Sequence, residues 1–392
     1  MIFLDEPFVS DFLKETIRKY AFPVVRTEFA ENSALAGEPG LLGEDDAIEM
    51  VRANRDLKIY TSSENSIGWI ADNLTFTDLP AQIDRFKNKA RFREMIAPLY
   101  PDFFFKKVSL DQLDDLSLDE IPMPFIIKPT AGFFSMGVNK VSSAEKWPEI
   151  LESIKSDMRK LDGLYPQQVM TSKSFIIEEY IEGTEYAVDA YFDASGEAVI
   201  LTILEHVFSS GEDVSDRVYI SSKEIIETYL GQFSSFLNKL GSLCGVKNFP
   251  LHVELRLADD GALVPIEVNP MRFGGWCTTA DMTYFAYGFN PYVYYLTEQK
   301  PDWPEILKGK EGKIYSIIVL DNSSGVDGNH IARFDYDHLL SHFSRPLELR
   351  RTDFRKYPVF GFLFAEVPAD DTSELDWILK SDLKEFISLK EE

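Results

Sequence analysis

Cysteine is nearly missing: Cys244 and Cys277 are the only two in 392 residues, and they show neither disulfide nor metal-ligand spacing. A disulfide scaffold is therefore not expected, and a reducing cytoplasm is the expected setting. Basic residues are also short. Forty Lys and Arg against 65 Asp and Glu leave a net charge of −25, which argues against nucleic acid or an anionic membrane as partner, because both attract clustered cations. No apolar run approaches the length of a membrane-spanning helix, and Met1 to Asp5 lack the basic and apolar regions of a secretory leader. No GxGxxG follows a strand pattern in the first 80 residues, which argues against a dinucleotide site there. Repeats and low-complexity tracts are absent as well.

What is present is enough apolar material for real cores, 45% hydrophobic and 13% aromatic, in a chain long enough for two or three domains. These features point to a globular protein that binds small molecules.

The most informative stretch runs from Leu251 to Gly275. Two runs alternate with period two around Ala258-Asp259-Asp260-Gly261, which predicts a β-hairpin. Successive strand side chains point to opposite faces, so His252, Glu254 and Arg256 share one face, and Glu267 and Asn269 share a face of the second strand. Two carboxylates and a carboxamide on one patch call for a cation. With oxygen-only donors that cation is expected to be Mg²⁺ or Mn²⁺. A solvated amphipathic hairpin is the plain alternative.

Upstream, the apolar period over Leu79 to Ala97 predicts a helix, with Lys87, Lys89, Arg91 and Arg93 on its polar side. Pro124 to Pro129 reads as a buried strand ending on Lys128, followed by a loop of small residues with two glycines and with Phe133 and Phe134. Phe175 to Asp189 reads as strand, acidic turn with Gly183, and strand. Helices are expected at Asp45–Ala53, Trp147–Leu161, Ser222–Leu243, near Tyr284–Leu296 and at Ser373–Leu389. Strands are expected at Lys58–Thr61, Ala198–Val207, Ile314–Leu320, Leu347–Arg351 and Val359–Val367.

The order of these pieces resembles the ATP-grasp superfamily: a basic helix, a Lys-Pro strand, Glu-Glu-x-x-x-Gly-x-Glu, a separate Glu, then Glu267-Val268-Asn269-Pro270-Met271-Arg272-Phe273-Gly274-Gly275. Within it the likeness is to carboxylate–amine ligases of the D-alanine–D-alanine ligase and L-amino-acid ligase type. The resemblance implies an α/β (α+β) fold with a preATP-grasp lobe at 1–84 and an ATP-grasp domain at 85–300. That domain would comprise a lid lobe at about 105–182 and a metal-binding lobe at about 183–300, with a C-terminal α/β module at 301–392 behind it. It also implies roles. Lys89, Lys128 and Ser135 would contact ATP phosphates, the backbone around Glu179 and Ile181 would read adenine, Glu178 would accept from the exocyclic amine, and Glu185 would hold the ribose. Glu254, Glu267 and Asn269 would hold two Mg²⁺ (or Mn²⁺) ions, and Arg272 would face the acyl phosphate.

The implied reaction is ATP-dependent ligation of a small carboxylate to an amine or thiol through an acylphosphate, in a protein whose candidate assembly is a homodimer. Alternatives are a biotin-carboxylase-like enzyme forming carboxyphosphate and a non-catalytic ATP-binding sensor. His206 and Arg217 are read as structural, and Cys277 as a buried structural thiol.

Overall fold

The computed structural model describes residues 1–33, 40–130, 138–161, 174–210 and 215–390. Ser135 and the phenylalanines of the loop after Lys128 lie outside the described residues.

Four short strands open the chain: β1 (Ile2–Phe3), β2 (Val24–Val25), β3 (Leu41–Leu42) and β4 (Tyr60–Thr61). They pair in parallel in the order β3-β2-β1-β4. Parallel neighbours need crossovers, and the helices Asp11–Tyr20, Glu28–Asn32 and Glu44–Ala53 supply them.

A second sheet is antiparallel. It contains β5 (Phe105–Ser109), β6 (Phe125–Pro129), β7 (Asn139–Val141) and β8 (Ser174–Glu179), in the order β5-β8-β6-β7. Its core of Val108, Phe125, Ile127, Trp147 and Phe175 is separate from the rest of the molecule, so this lobe holds together by its own packing.

The central sheet takes β9 (Thr184–Phe192), β10 (Ala198–Val207), β11 (Val218–Ser222), β12 (Phe249–Leu257), β13 (Leu263–Pro270) and β14 (Lys313–Asp321). After β15 (Ile331–Phe334) come β16 (Pro346–Arg351), β17 (Val359–Pro368) and β18 (Ile387–Leu389). The sheet order is β13-β12-β9-β10-β11-β14-β17-β16, and β15 pairs with β18 apart from it. Strands beyond residue 301 thus extend the central sheet, while Ile331, Phe334, Leu375 and Phe386 gather in a core of their own. The largest core joins the first four strands to the central sheet.

Three helix expectations are corrected. The run Leu79–Ala97 is two helices, Leu79–Lys87 and Lys89–Ile96, because the Asn88 side chain caps the second by accepting from the Arg91 N–H at 3.2 Å. The stretch near Tyr284–Leu296 is likewise broken, by Gly288 at φ 77° and a new start at Asn290-Pro291. The expected helix Ser373–Leu389 stops at Lys380, and β18 pairs antiparallel with β15 instead.

Candidate active site

The β12–β13 hairpin turns through Gly261 at φ 85°, and its register sets Glu254 opposite Glu267 and His252 opposite Asn269. The expected polar face therefore exists as one patch. Its other neighbour, β9, places Asp189 beside His252 and Glu185 beside Arg256. Asp189 accepts from His252 Nδ1 at 2.7 Å and from the Gly274 N–H at 3.0 Å, and also bonds Thr279. A Cβ on Gly274 would lie 2.2 Å from the Thr279 side chain, so the loop after Asn269 closes onto the sheet only with glycine there.

Cations reach this patch from two directions. The Lys89 N–H donates to the Thr130 carbonyl at 2.8 Å, fixing the helix start against the end of β6, and Lys89 Nζ meets Glu267 Oε2 at 2.9 Å. Lys128, 4% exposed, reaches Glu178 Oε2 at 2.7 Å and the Ile266 carbonyl at 3.4 Å. In the register Ile126 opposes Glu178, so Lys128 and Glu178 are diagonal neighbours on one face. The break at Asn88 thus brings Lys89 and Lys128 together over Glu267.

Glu178 is held by two cations, Lys128 on one oxygen and Arg93 Nε on the other. Burial pushes its carboxyl up, but Lys128 and then Arg93 outweigh it and hold it at about 2. Arg93 also lies over the Phe103 ring at 4.3 Å, and its Nη1 and Nη2 are buried with no partner among the described residues. Buried donors are rarely left this way, and they suit a ligand acceptor at the lobe seam.

Glu179 accepts through its side chain from the Phe104 N–H at 3.2 Å, and its own N–H donates to the Phe104 carbonyl at 3.1 Å. The Ile181 carbonyl accepts from Arg256 Nη1 at 2.8 Å. Glu185 is bracketed by Arg256 at 2.9 Å and His206 Nδ1 at 3.0 Å. Despite burial, His206 and then Arg256 bring its carboxyl below the usual range.

The carboxylates themselves are crowded. Burial, then Glu267, Glu185 and Asp216 push Glu254 well above the ordinary value, with Lys89 opposing. Burial works the same way on Glu267, but Lys89, Lys87 and Lys128 bring it down to about 2. Glu254, outweighed by the carboxylates around it, together with Glu267 and the Asn269 carboxamide, forms a donor set that fits Mg²⁺ or Mn²⁺.

Arg272 sits on a loop whose Met271 has φ 68°, with Trp276 and Cys277 at 57° and 58°. Non-glycine residues rarely adopt this backbone, and such clusters mark functional loops. Arg272 Nη2 bonds Glu64 Oε1 at 3.0 Å, and Lys87 holds the other Glu64 oxygen. The Thr61 N–H also donates to the Met271 carbonyl at 2.8 Å, so the end of β4 clamps the Arg272 loop.

His252 and Arg256, placed by the sequence on the face of Glu254 but given no role, complete the site with Asp189 and with Glu64, which the sequence reading missed. Glu64 follows a parallel strand at its carboxyl end, the position where open α/β sheets place ligands, and that signal was available. His206 is wedged between Glu185 and the Ser215 carbonyl and stacks on Tyr219. Arg217 is structural: it binds Asp321, Ser323 and the carbonyls of Ile378 and Ser381. Cys277 is buried.

Residues 121–280 match the family model described as ATP-grasp domain. Among curated proteins, the chain is 25% identical to alanine–anticapsin ligase from Bacillus amyloliquefaciens over 41% of this chain and 35% of that one. It is 22% identical to the carbamoyl phosphate synthase large chain of Caldanaerobacter subterraneus over 42% of this chain and 14% of that protein. The matches thus span about a third or less of these relatives. The whole fold is shared with the crystal structure of L-amino acid ligase from Bacillus licheniformis, at a TM-score of 0.67 and 18% identity, covering 100% of this chain and 98% of that one. No described helix is long and apolar enough to cross a membrane.

Proposed function

We propose that the protein is an ATP-dependent carboxylate–amine ligase. The observation that supports this most directly is the convergence of Lys89 and Lys128 on the patch of Glu254, Glu267 and Asn269, with Arg272 held by Glu64, whose other oxygen Lys87 takes. Glu254, Glu267 and Asn269 would hold Mg²⁺, which when bound neutralises charge on the ATP phosphates. Lys89 and Lys128 bind the phosphates in exchange for their present partners, and Arg272 grips the carboxylate with its planar fork. Arg256 occupies the Ile181 carbonyl, so an adenine contact at Ile181 runs through its N–H, while Glu185 takes the ribose.

A carboxylate oxygen attacks the γ-phosphorus, the bond to the ADP oxygen breaks, and the resulting acylphosphate is attacked by an amine that loses a proton as phosphate leaves. No covalent enzyme nucleophile takes part. The contribution of the protein is positioning and charge stabilisation.

The test is ADP release from ATP and Mg²⁺ with amino acids offered singly and in pairs, and with bicarbonate as a separate arm. Release that needs an amino acid supports ligation. Release with bicarbonate alone assigns carboxyphosphate chemistry, and ATP binding without release in any arm assigns a sensor.

A further inference from the structure

Far from the hairpin, His338 and His342 lie on and just after the helix Tyr336–Leu340, and Glu385 lies in the turn Lys384–Phe386 that leads into β18. One donor atom from each of these three side chains lies within 4.8 Å of the others. We propose that they form a binding site for a borderline divalent transition ion, Zn²⁺ being the reference case.

Three observations carry this. The chemistry of the donors is the first: two imidazoles and one carboxylate suit Zn²⁺, Ni²⁺ or Co²⁺, whereas Mg²⁺ prefers the all-oxygen set at Glu254, Glu267 and Asn269. The second is that the donors are uncommitted. His342 Nε2 is buried with no hydrogen-bond partner, and none of the three side chains makes a side-chain hydrogen bond or ion pair among the described residues. A buried imidazole nitrogen left this way is costly unless something binds it. The third is preorganisation. His342 stacks on Trp377 at 4.2 Å and 5°, and His338 packs edge-on to Phe386 at 5.0 Å, so ring positions are set before an ion arrives.

Donors of a tetrahedral Zn²⁺ stand about 3.4 Å apart, so closing around the ion takes small side-chain rotations. His338 and His342 are exposed and half-buried respectively, and Glu385 is exposed, which leaves the fourth position to water. Bound there, the ion clips the helix to the segment entering β18, joining residues more than forty apart in sequence and stabilising the C-terminal core.

The experiment uses the full chain, stripped with a chelator and titrated with Zn²⁺ alone against a chromophoric competitor, with millimolar Mg²⁺ present to occupy the oxygen site. The wild type is expected to bind one Zn²⁺ that His338→Ala and Glu385→Gln weaken at least tenfold, and that Glu254→Gln leaves unchanged. Zn²⁺ is also expected to move the ring NMR signals of His338 and His342 and to raise the melting temperature of the wild type more than that of His338→Ala. His342→Ala removes a packed ring, so the two more exposed variants carry the decision. Wild-type binding that is absent at 100-fold excess, or unchanged in both variants, overturns the site. Loss only in Glu254→Gln assigns the ion to the hairpin instead.

Discussion

Arg272 Nη2 and Glu64 Oε1 stand 3.0 Å apart across 208 residues of sequence. The ion pair ties the loop after the metal-type hairpin to the end of β4, and Lys87 neutralises the second oxygen. Arg272 is thereby aimed by a residue of the first lobe. Arg272→Lys keeps the charge but loses the fork, a difference of about 1.5–3 kcal/mol for a charge-assisted hydrogen bond. Turnover should fall roughly ten- to a hundredfold while ATP affinity by calorimetry barely moves. Equal losses in both would place Arg272 on the nucleotide. Glu64→Gln should raise the carboxylate KM more than it lowers kcat, with Glu64→Asp recovering part of the loss.

Glu267→Gln should abolish Mg²⁺-dependent ADP release while the protein still folds, at a cost in stability because Lys89 loses its carboxylate partner. Steady-state release and far-UV circular dichroism check the two halves of this statement. A Glu267→Gln protein with wild-type turnover removes the metal role from the hairpin.

Lys128→Ala has two expected effects. Nucleotide affinity and turnover should both fall, because the ammonium would contact phosphate in ground and transition states. Stability should fall too, by about 3 kcal/mol, because Glu178 loses one of its two buried partners. Unchanged affinity with reduced stability would make Lys128 purely structural.

The same carboxylate predicts acid sensitivity. Its folded pKa, about 2, lies below the ordinary value of 4.5, so its stabilisation is present above pH 4.5 and drains away as pH falls towards 2. The full loss is on the order of 3 kcal/mol. Urea midpoints measured at pH 6 and pH 3 should diverge more for wild type than for Glu178→Gln. Parallel slopes would contradict the pairing.

Gly183, between β8 and β9, adopts φ 131°, and a Cβ there would lie 2.2 Å from the Leu257 carbonyl. Gly183→Ala should cost about 1–3 kcal/mol from backbone strain alone, visible as a lower melting temperature. An unchanged melting temperature would mean that the turn relaxes.

Where sequence patterns were local, the structure followed them. Period two and one turn glycine gave the hairpin, and an apolar run ending in a charge gave Lys128, but Glu254 meets Glu267 only because a bulge at Ile266 shifts the register, which the pattern does not show. Elsewhere a local signal was outweighed. Asn88 splits an apolar-periodic run because a cap satisfies the helix N–H groups that continuity would also have satisfied. Non-local pairing was not legible at all: β18 is a strand because β15 lies beside it, and Glu64 meets Arg272 only after the lobes assemble. The same holds for Glu178, whose two cations come from a helix and a neighbouring strand.

The most direct measurement is hydroxylamine trapping, which needs no knowledge of the natural amine. The full chain is incubated with ATP, Mg²⁺, hydroxylamine and each amino acid in turn, and hydroxamate is quantified beside ADP. The expected result is hydroxamate and ADP in equal amounts with at least one carboxylate substrate, both lost in Glu267→Gln. ADP release without hydroxamate for every carboxylate, or none above the ATP-only background, would contradict an acylphosphate-forming ligase.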